Sequence, residues 1–287
     1  MSSTSGMVGF FYGTRLGRFL LKIIMKLHLD RIAVWFLWSR CSKPFIGWFV
    51  RKNGIPMERA EVKSFRSFRD FFVRQKNDLC FDPVPEHLIS PCDGWLSAFP
   101  IDGQSSFSIK HSHYQIKDFL QDEALAKQYM GGTCLIFRLC VSDYHHYCYI
   151  DDGFQGENHP IPGVLHSVQP IACETYPVFV LNKRSWCLLE TDNFGPVVQC
   201  EIGALVVGGI VNDAQNARFR KGSEKGRFEL AGSTIILLLQ KDQIQLKPEL
   251  MEALSQAEEV QVKLGQWIAT AEKGRVQSFA NTIGNSL

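Results

Sequence analysis

The sequence has 287 residues and lacks any apolar run long enough to cross a bilayer. Its longest strongly apolar run, residues 32–38, has seven residues, whereas a membrane-spanning helix needs about 20. The first apolar stretch ends in no small-residue cleavage site, and four basic residues interrupt it: Arg15, Arg18, Lys22 and Lys26. We therefore expect neither a transmembrane helix nor a signal peptide.

Recognisable cofactor and metal signatures are also missing. The nine cysteines include no CxxC pair and no zinc-finger spacing, which is typical of reduced thiols in a cytoplasmic protein. No phosphate-binding loop or dinucleotide fingerprint is present. The histidines at positions 111, 113, 145, 146 and 159 show no ligand spacing, so we predict no metal site.

Charge is distributed unevenly along the chain, although the formal net charge is only +2. Residues 1–79 contain 15 Lys or Arg against 5 Asp or Glu, whereas residues 80–287 contain 16 against 24. A basic leading segment on an acidic body indicates a surface that meets anions. We predict an anionic membrane surface as the partner and no nucleic acid.

The leading segment predicts amphipathic and apolar helices. In residues 14–29 the basic side chains form one narrow helical stripe beside a broad apolar face. Two further apolar segments, 32–38 and 42–50, place Trp and Phe near cations, as suits the interfacial zone of a bilayer. We interpret residues 1–56 as a membrane-association segment, and a helical hairpin packed on the protein's own core is the alternative.

The rest of the chain, residues 57–287, predicts one domain of the α+β class with an antiparallel-rich β body. After a short helix in 64–76 and the break near Asn53 and Gly54, short β-type runs alternate with Gly, Pro and Asp. One helix is predicted over 115–129. The predicted strands are 95–99, 106–110, 134–139, 185–190, 197–210, 227–230, 233–239 and 243–246.

Three short polar features stand out, although each is modest when taken alone. Gly232-Ser233-Thr234 has the composition of an ordinary turn between two β-type runs. Asp93 begins a strand, where capping of backbone amides is a sufficient role. His145 and His146 are adjacent at a strand end and point in opposite directions, so at most one of them faces a given site.

Taken in order, these features resemble the phosphatidylserine decarboxylase family. The similarity runs from about residue 65 to residue 266 and is carried by many ordered segments. They are residues 68–74 (FRDFFVR), 90–94 (SPCDG), 109–110 with Tyr114, 137–139 leading into 143–145 (DYH), Gly153, 165–168 (LHSV), 182–184 (NKR), 203–210 (GALVVGGI), 225–228 (KGRF) and 232–234 (GST).

The resemblance implies an enzyme that makes its cofactor from its own backbone. Ser233 would attack the Gly232 carbonyl, and elimination from the resulting ester would release a β chain of residues 1–232. The α chain, residues 233–287, would begin with a pyruvoyl group derived from Ser233. Through a Schiff base, that group would convert phosphatidyl-L-serine to phosphatidylethanolamine and CO2. The implied location is the cytoplasmic face of the cell membrane, peripherally bound.

The resemblance also implies roles for individual residues. Asp93 matches the charge partner of the base that activates the serine, and His145 matches the histidine used in decarboxylation. Cys148 stands where the family commonly has a second histidine, the usual base for self-cleavage. We favour His166 as its replacement, while a Cys148 thiolate or a loss of cleavage are the alternatives.

Two other functions are compatible with the sequence. A pyruvoyl-dependent decarboxylase of a free amino acid would share the chemistry but have no use for the interfacial helices. A non-catalytic membrane-binding relative would explain Cys148.

Overall fold

The computed structural model of this chain describes residues 6–27, 30–76, 79–109, 112–204, 209–229 and 233–272. Its helices are α1 (Gly6–Gly13), α2 (Arg15–Lys26), α3 (Asp30–Trp38), α4 (Lys43–Lys52), α5 (Arg59–Ser64), α6 (Phe68–Phe72), α7 (Ile116–Leu120), α8 (Glu123–Lys127), α9 (Pro170–Thr175), α10 (Val178–Leu181) and α11 (Pro248–Gln256). Its strands are β1 (His87–Ile89), β2 (Gly94–Pro100), β3 (Ser106–Ile109), β4 (Ser112–Gln115), β5 (Thr133–Leu139), β6 (His146–Cys148), β7 (Gly153–Gln155), β8 (His159–Ile161), β9 (Arg184–Thr191), β10 (Gly195–Ile202), β11 (Gly209–Asn212), β12 (Ala217–Phe219), β13 (Glu224–Glu229), β14 (Ser233–Leu239), β15 (Ile244–Leu246), β16 (Val260–Val262) and β17 (Trp267–Ala271).

One large antiparallel sheet forms the body. Within the described residues its strand order is β12-β7-β9-β10-β14-β5-β2-β16, and β8 also pairs with β9. Two smaller antiparallel sheets, β1-β17-β15 and β11-β13-β6, and the hairpin β3-β4 complete the strands. The predicted α+β class with an antiparallel-rich β body is therefore confirmed.

Strand β14 is buried along its whole length because both faces of the large sheet are covered. Side chains alternate between the faces of a strand. Ile235 and Leu237 join one apolar cluster, with Phe137, whereas Ile236 and Leu238 join the other. Burying each such side chain stabilises the fold by about 1.5–3 kcal/mol. The strand that begins with Ser233 is thus one of the best-anchored segments of the molecule.

The N-terminal helices both pack on the body and expose apolar surface. Thr14 caps α2, as its side chain accepts a hydrogen bond from the Gly17 amide at 2.9 Å. Helix α1 packs near α9, and Tyr12 is buried. Helices α3, α4 and α6 share a cluster that includes Phe49 and Phe71, on both sides of residue 56. The predicted division at residue 56 stays a prediction.

No helix among the described segments has the length and apolar character needed to cross a membrane.

Two predicted elements have other bounds in the structure, and eight strands were not predicted: β1, β4, β6, β7, β8, β12, β16 and β17. The single helix expected over 115–129 is two helices, because Gln121 takes a left-handed φ of 56° after α7 and Asp122 caps α8. The strand expected over 197–210 ends at Ile202 in the large sheet, and β11 begins at Gly209 in another sheet. Residues 205–208, 110 and 230, which were also predicted as strand, lie outside the described residues.

A buried ion pair joins two of the sheets. Lys225 Nζ of β13 lies 2.8 Å from Glu201 Oε1 of β10, and both side chains are fully buried. Gln199 donates to the same carboxylate oxygen, and Asn212 Oδ1 accepts from Lys225 at 3.0 Å. Burial lowers the pKa of Lys225, but the Glu201 charge and hydrogen bond outweigh it and raise the pKa overall. The ammonium therefore stays charged in the interior.

We predict that Lys225→Met destabilises the protein by about 3–5 kcal/mol, because Glu201 is left buried and unpaired. The double variant Lys225→Met/Glu201→Leu should recover most of this loss, since no charge remains buried. Urea unfolding followed by tryptophan fluorescence measures both values, with the exposed Lys117→Met as control. A single variant as stable as the double variant would contradict the prediction.

Candidate active site

Two of the predicted site residues lie at one end of three neighbouring strands. Ser233 is the first residue of β14, is 2% exposed, and pairs with Leu139, the last residue of β5. On the other side of β5, strand β2 begins at Gly94, directly after Asp93. Asp93 and Ser233 therefore flank the same end of β5. The other predicted cleavage residue, Gly232, lies outside the described residues.

The carboxylate of Asp93 is buried and held on both oxygens. Oδ1 accepts the Leu264 amide at 3.0 Å, and Oδ2 lies 3.2 Å from Lys76 Nζ. The next position requires glycine, because a Cβ on Gly94 would lie 2.9 Å from the Arg138 carbonyl oxygen. This close approach of β2 to β5 keeps the Asp93 charge at the strand ends.

His145 is a fully buried imidazole with one open nitrogen. Nδ1 lies 2.9 Å from the Asp143 carbonyl oxygen, so Nδ1 carries the hydrogen of the neutral ring and donates it. Nε2 is buried and has no hydrogen-bond partner among the described residues. The ring lies on Phe72, with centroids 4.0 Å apart, and the His145 carbonyl accepts the Phe228 amide of β13 at 2.9 Å. His145 thus lies beside the strand that leads toward Ser233.

Burial controls the protonation of this site. It lowers the pKa of His145 to about 3, with Arg74 acting in the same direction and the Asp93 charge acting against it. Burial also raises the pKa of the Asp143 carboxyl, and the nearby Asp93 charge adds to that rise. At neutral pH, His145 is therefore an uncharged ring whose Nε2 is able to accept a proton.

A family model described as phosphatidylserine decarboxylase matches residues 68–270. The chain belongs to the phosphatidylserine decarboxylase family. Among similar proteins, the phosphatidylserine decarboxylase proenzyme 2 of Clostridium acetobutylicum is 40% identical over 92% of this chain and 91% of its own length. The proenzymes of Clostridium beijerinckii and Desulfitobacterium hafniense are 36% and 34% identical, covering 90% and 94% of this chain and 90% and 93% of theirs.

The resemblance to the phosphatidylserine decarboxylase family is thus confirmed, and the matched region includes Asp93, His145, His166 and Ser233. The relatives are named proenzymes, a name that implies self-processing within the family. The individual roles predicted for these four residues stay predictions.

His166 is tied to the strand next to Ser233 through its backbone, while its ring points toward the N-terminal helix. Asn182 Oδ1 accepts the His166 amide, and Asn182 Nδ2 donates to the carbonyls of His166 and Gly203. Gly203 follows Ile202, the residue of β10 that pairs with Thr234. The ring contacts Tyr12 and Tyr176. Burial lowers the pKa of His166, which favours its neutral form.

Cys148 and His146 have surroundings that disfavour a role as base. Burial raises the pKa of the Cys148 thiol to about 12, and its Sγ lies 3.8 Å from the Ser90 carbonyl oxygen. At neutral pH it is therefore a thiol. Both ring nitrogens of His146 are occupied, Nδ1 by Glu224 at 2.6 Å and Nε2 by the Val73 carbonyl at 3.0 Å.

A mainly apolar cavity of about 370 Å³ lies on the opposite face of the large sheet from the Ser233 side chain. Arg138 and Trp95 line it, and Arg138 pairs in register with Thr234. Adjacent side chains of a strand point to opposite faces. The lining residues belong to strands β2 and β5 and to other segments, and they include neither Ser233 nor any other residue of β14.

Sequence reasoning missed three residues of this region: Lys76, Asn182 and Tyr12. Lys76 and Asn182 lie in or near segments that carry the family resemblance, but their contacts with Asp93 and His166 depend on residues 16 or 17 positions away. Tyr12 is 154 residues from His166. A single sequence has no periodic signal for such pairs.

We predict that the His145 resonance does not titrate between pH 5 and 8. Its folded pKa, about 3, lies below the ordinary 6.5, so only the unfolded chain binds this proton between those values. The free energy of unfolding should therefore fall as the pH is lowered from 6.5 toward 3, by up to about 1.4 kcal/mol per pH unit. NMR of histidine-labelled protein tests this, with His145→Asn assigning the signal. A midpoint near 6.5 would contradict it.

Proposed function

We propose that this chain is a self-processing phosphatidylserine decarboxylase whose pyruvoyl group derives from Ser233. It converts phosphatidylserine to phosphatidylethanolamine and CO2. The observation that carries the proposal is the family match over residues 68–270, which spans Asp93, His145 and Ser233. It is supported by curated relatives named phosphatidylserine decarboxylase proenzymes that cover about nine-tenths of the chain.

In the proposed self-cleavage, the hydroxyl oxygen of Ser233 attacks the Gly232 carbonyl carbon. The peptide C–N bond breaks, an ester forms, and the amine of residue 233 takes up a proton. Loss of the Cα proton of residue 233 then breaks the bond between its Cβ and the ester oxygen, which leaves a carboxylate on Gly232 and a carbon–carbon double bond in residue 233. Water replaces the nitrogen, which departs as ammonia, and a ketone remains at position 233. The products are the β chain 1–232 and the α chain 233–287.

A serine hydroxyl needs a base and an orienting acid for this attack. We assign the base to His166, whose neutral ring is favoured by burial, and the acid to Asp93. The alternative base, Cys148, is disfavoured because its thiol pKa is about 12. Asp93 contributes a negative charge at the end of β5 beside Ser233, and among the imidazoles this charge acts on the ring of His145.

Two buried polar atoms of the region matched by the family have open hydrogen-bonding capacity, which a carbonyl-bearing group is able to use. Thr234 Oγ1 and His145 Nε2 are buried without a hydrogen-bond partner among the described residues. Once formed, a pyruvoyl ketone supplies the electron-accepting carbonyl that decarboxylation of an amino acid needs. His145 presents an unprotonated Nε2, which takes up a proton from water and delivers it to the α-carbon of the substrate after CO2 has left.

The lipid substrate requires access to a membrane, and the N-terminal helices have a suitable surface. Trp35 is 73% exposed, and Lys52 Nζ lies 4.7 Å above the Trp48 ring. Inserting such side chains into an interface contributes about 1.5 kcal/mol or more each, and each nearby cation adds about 1 kcal/mol on anionic lipid. Between residues 6 and 52, the exposed large apolar residues are Met7, Phe10, Leu16, Phe19, Leu20, Leu27, Ile32, Trp35, Phe36, Trp38, Phe45 and Trp48.

This surface supports peripheral binding to an anionic, cytoplasmic membrane face. It also favours a lipid substrate over a free amino acid, because a decarboxylase of a soluble substrate has no use for it. A non-catalytic relative is the other alternative, and it predicts a chain that stays intact.

We predict that Ser233→Ala yields one full-length chain, whereas the parent protein yields two on a denaturing gel. Intact mass should assign the two chains to residues 1–232 and 233–287, the latter without the serine nitrogen. Ser185→Ala, another buried serine in a strand, is the matched control and should cleave normally. A purified, lipid-active protein with a continuous backbone would contradict the proposal.

We also predict that Asp93→Asn blocks cleavage, because the amide removes the negative charge but keeps the shape of the side chain. His145→Asn should instead cleave and lose at least about 100-fold in decarboxylation rate. A His145→Asn protein that stays uncleaved would identify His145 as a residue needed for self-cleavage and overturn the division of roles.

For the membrane surface, we predict that Phe19→Glu/Trp35→Glu weakens binding to phosphatidylglycerol-containing vesicles by at least about tenfold, that is, about 1.4 kcal/mol. Sedimentation on these vesicles avoids turnover of substrate. Met251→Glu, an exposed apolar residue on α11, is the control and should bind like the parent. Unchanged sedimentation of the double variant would show that the anchor lies elsewhere.

A further inference from the structure

The N-terminal helix α1 contributes a buried side chain to the surroundings of His166. Tyr12 is 1% exposed, and its Oη lies 3.2 Å from His166 Nδ1. The same oxygen accepts the Ser167 amide at 2.8 Å. Arg18 of α2 donates to the Tyr12 carbonyl oxygen at 2.9 Å. Tyr12 is thus fixed at both its backbone and its hydroxyl.

Two tyrosine rings enclose the imidazole. The Tyr176 ring stacks on His166 with centroids 4.6 Å apart and an interplanar angle of 11°. Tyr12 meets both rings edge-on, at 6.0 Å from His166 and 6.1 Å from Tyr176. A ring held by a stack, an edge contact and a hydrogen bond has little freedom to rotate.

The segment that carries His166 is also fixed relative to the cleavage strand. The Asn182 side chain bonds both the amide and the carbonyl of His166, at 2.9 and 2.8 Å. Its Nδ2 also donates to Gly203, the residue after the Ile202–Thr234 register pair. Asn182 therefore connects His166 to the strand that runs beside the start of β14.

We propose that Tyr12 is a positioning residue for His166, so that helix α1 completes the self-processing site. The inference rests on the proposed function, in which His166 takes the proton of Ser233. For Nε2 to accept a proton, the hydrogen of the neutral ring must be on Nδ1, and Tyr12 Oη is the atom within reach that accepts it. Tyr12 thereby acts on the orientation and tautomer of the ring.

The proposal gives a direction for pH dependence. The groups that face the His166 ring are Tyr12 and Tyr176, and no charged side chain of the described residues contributes to its pKa shift. An oxygen that accepts from Nδ1 favours the protonated ring. Removing that oxygen should lower the pKa of His166. The cleavage rate falls at low pH where His166 becomes protonated, and this acid limb of the pH profile should then move to lower pH.

Tyr12→Phe tests this, because it keeps the buried ring and removes only the hydroxyl. Full-length chain made by cell-free translation is transferred to buffers of different pH, and the appearance of the two chains is timed. We expect cleavage at least about tenfold slower at neutral pH, with the acid limb moved to lower pH. Tyr129→Phe is the matched control, because Tyr129 is also buried and its hydroxyl contacts a carbonyl, that of Pro196.

The outcomes separate this inference from the proposed function. Normal cleavage of Tyr12→Phe, together with blocked cleavage of His166→Ala, overturns the role of Tyr12 and leaves the proposed function in place. Slower cleavage with an unmoved acid limb reports a folding defect and also overturns it. Normal cleavage of His166→Ala overturns both the assignment of His166 as the base and the positioning role of Tyr12. A parent chain that never cleaves, like Ser233→Ala, overturns the proposed function itself.

Discussion

The pairing of β14 with β5 on one side and β10 on the other is the constraint on which the rest of the structure depends. It places Ser233 at the start of a strand whose next six residues are buried on both faces. A strand in this position has no freedom to shift its register, because a shift of one residue would exchange the two apolar faces. The end of β14, and with it the neighbouring ends of β5 and β2, is therefore fixed in space.

Burial also decides which groups of the site carry charge. His145 is kept neutral and Cys148 is kept as a thiol, since each is removed from water without a compensating opposite charge at hydrogen-bond distance. Lys225 is equally buried but stays charged, because Glu201 lies 2.8 Å away. The carboxylate of Asp93 has a lysine and a backbone amide as hydrogen-bond partners. Removal from water therefore leaves a side chain neutral where the fold provides no oppositely charged partner, and charged where it does.

The N-terminal segment combines the two interpretations that its sequence allowed. Part of it packs on the protein's own core, through Tyr12 and the phenylalanine cluster of α4 and α6. Another part leaves Trp35 and Phe19 exposed, the surface that we propose to meet the membrane. The alternatives are compatible, because an amphipathic helix has two faces with different neighbours.

The sequence alone was sufficient for the fold class, the family and the position of the long strands of the large sheet, whereas eight short strands were missed. These follow from local alternation, from turn residues and from ordered motifs, which are properties of neighbouring residues. It failed where a single residue or a distant partner decided the outcome. The left-handed Gln121 divided one predicted helix into two, and the strand after Ile202 broke as the chain passed to another sheet.

For the candidate site, the motifs singled out Asp93, His145, His166 and Ser233 from the sequence. Only the tertiary structure decided that His145 has an open Nε2, that Lys76 holds Asp93, and that Tyr12 reaches His166 across 154 positions. The physical reason is that residue type and spacing determine local conformation and pattern. Burial, hydrogen-bond direction and proton affinity depend on which distant segments the fold brings into contact.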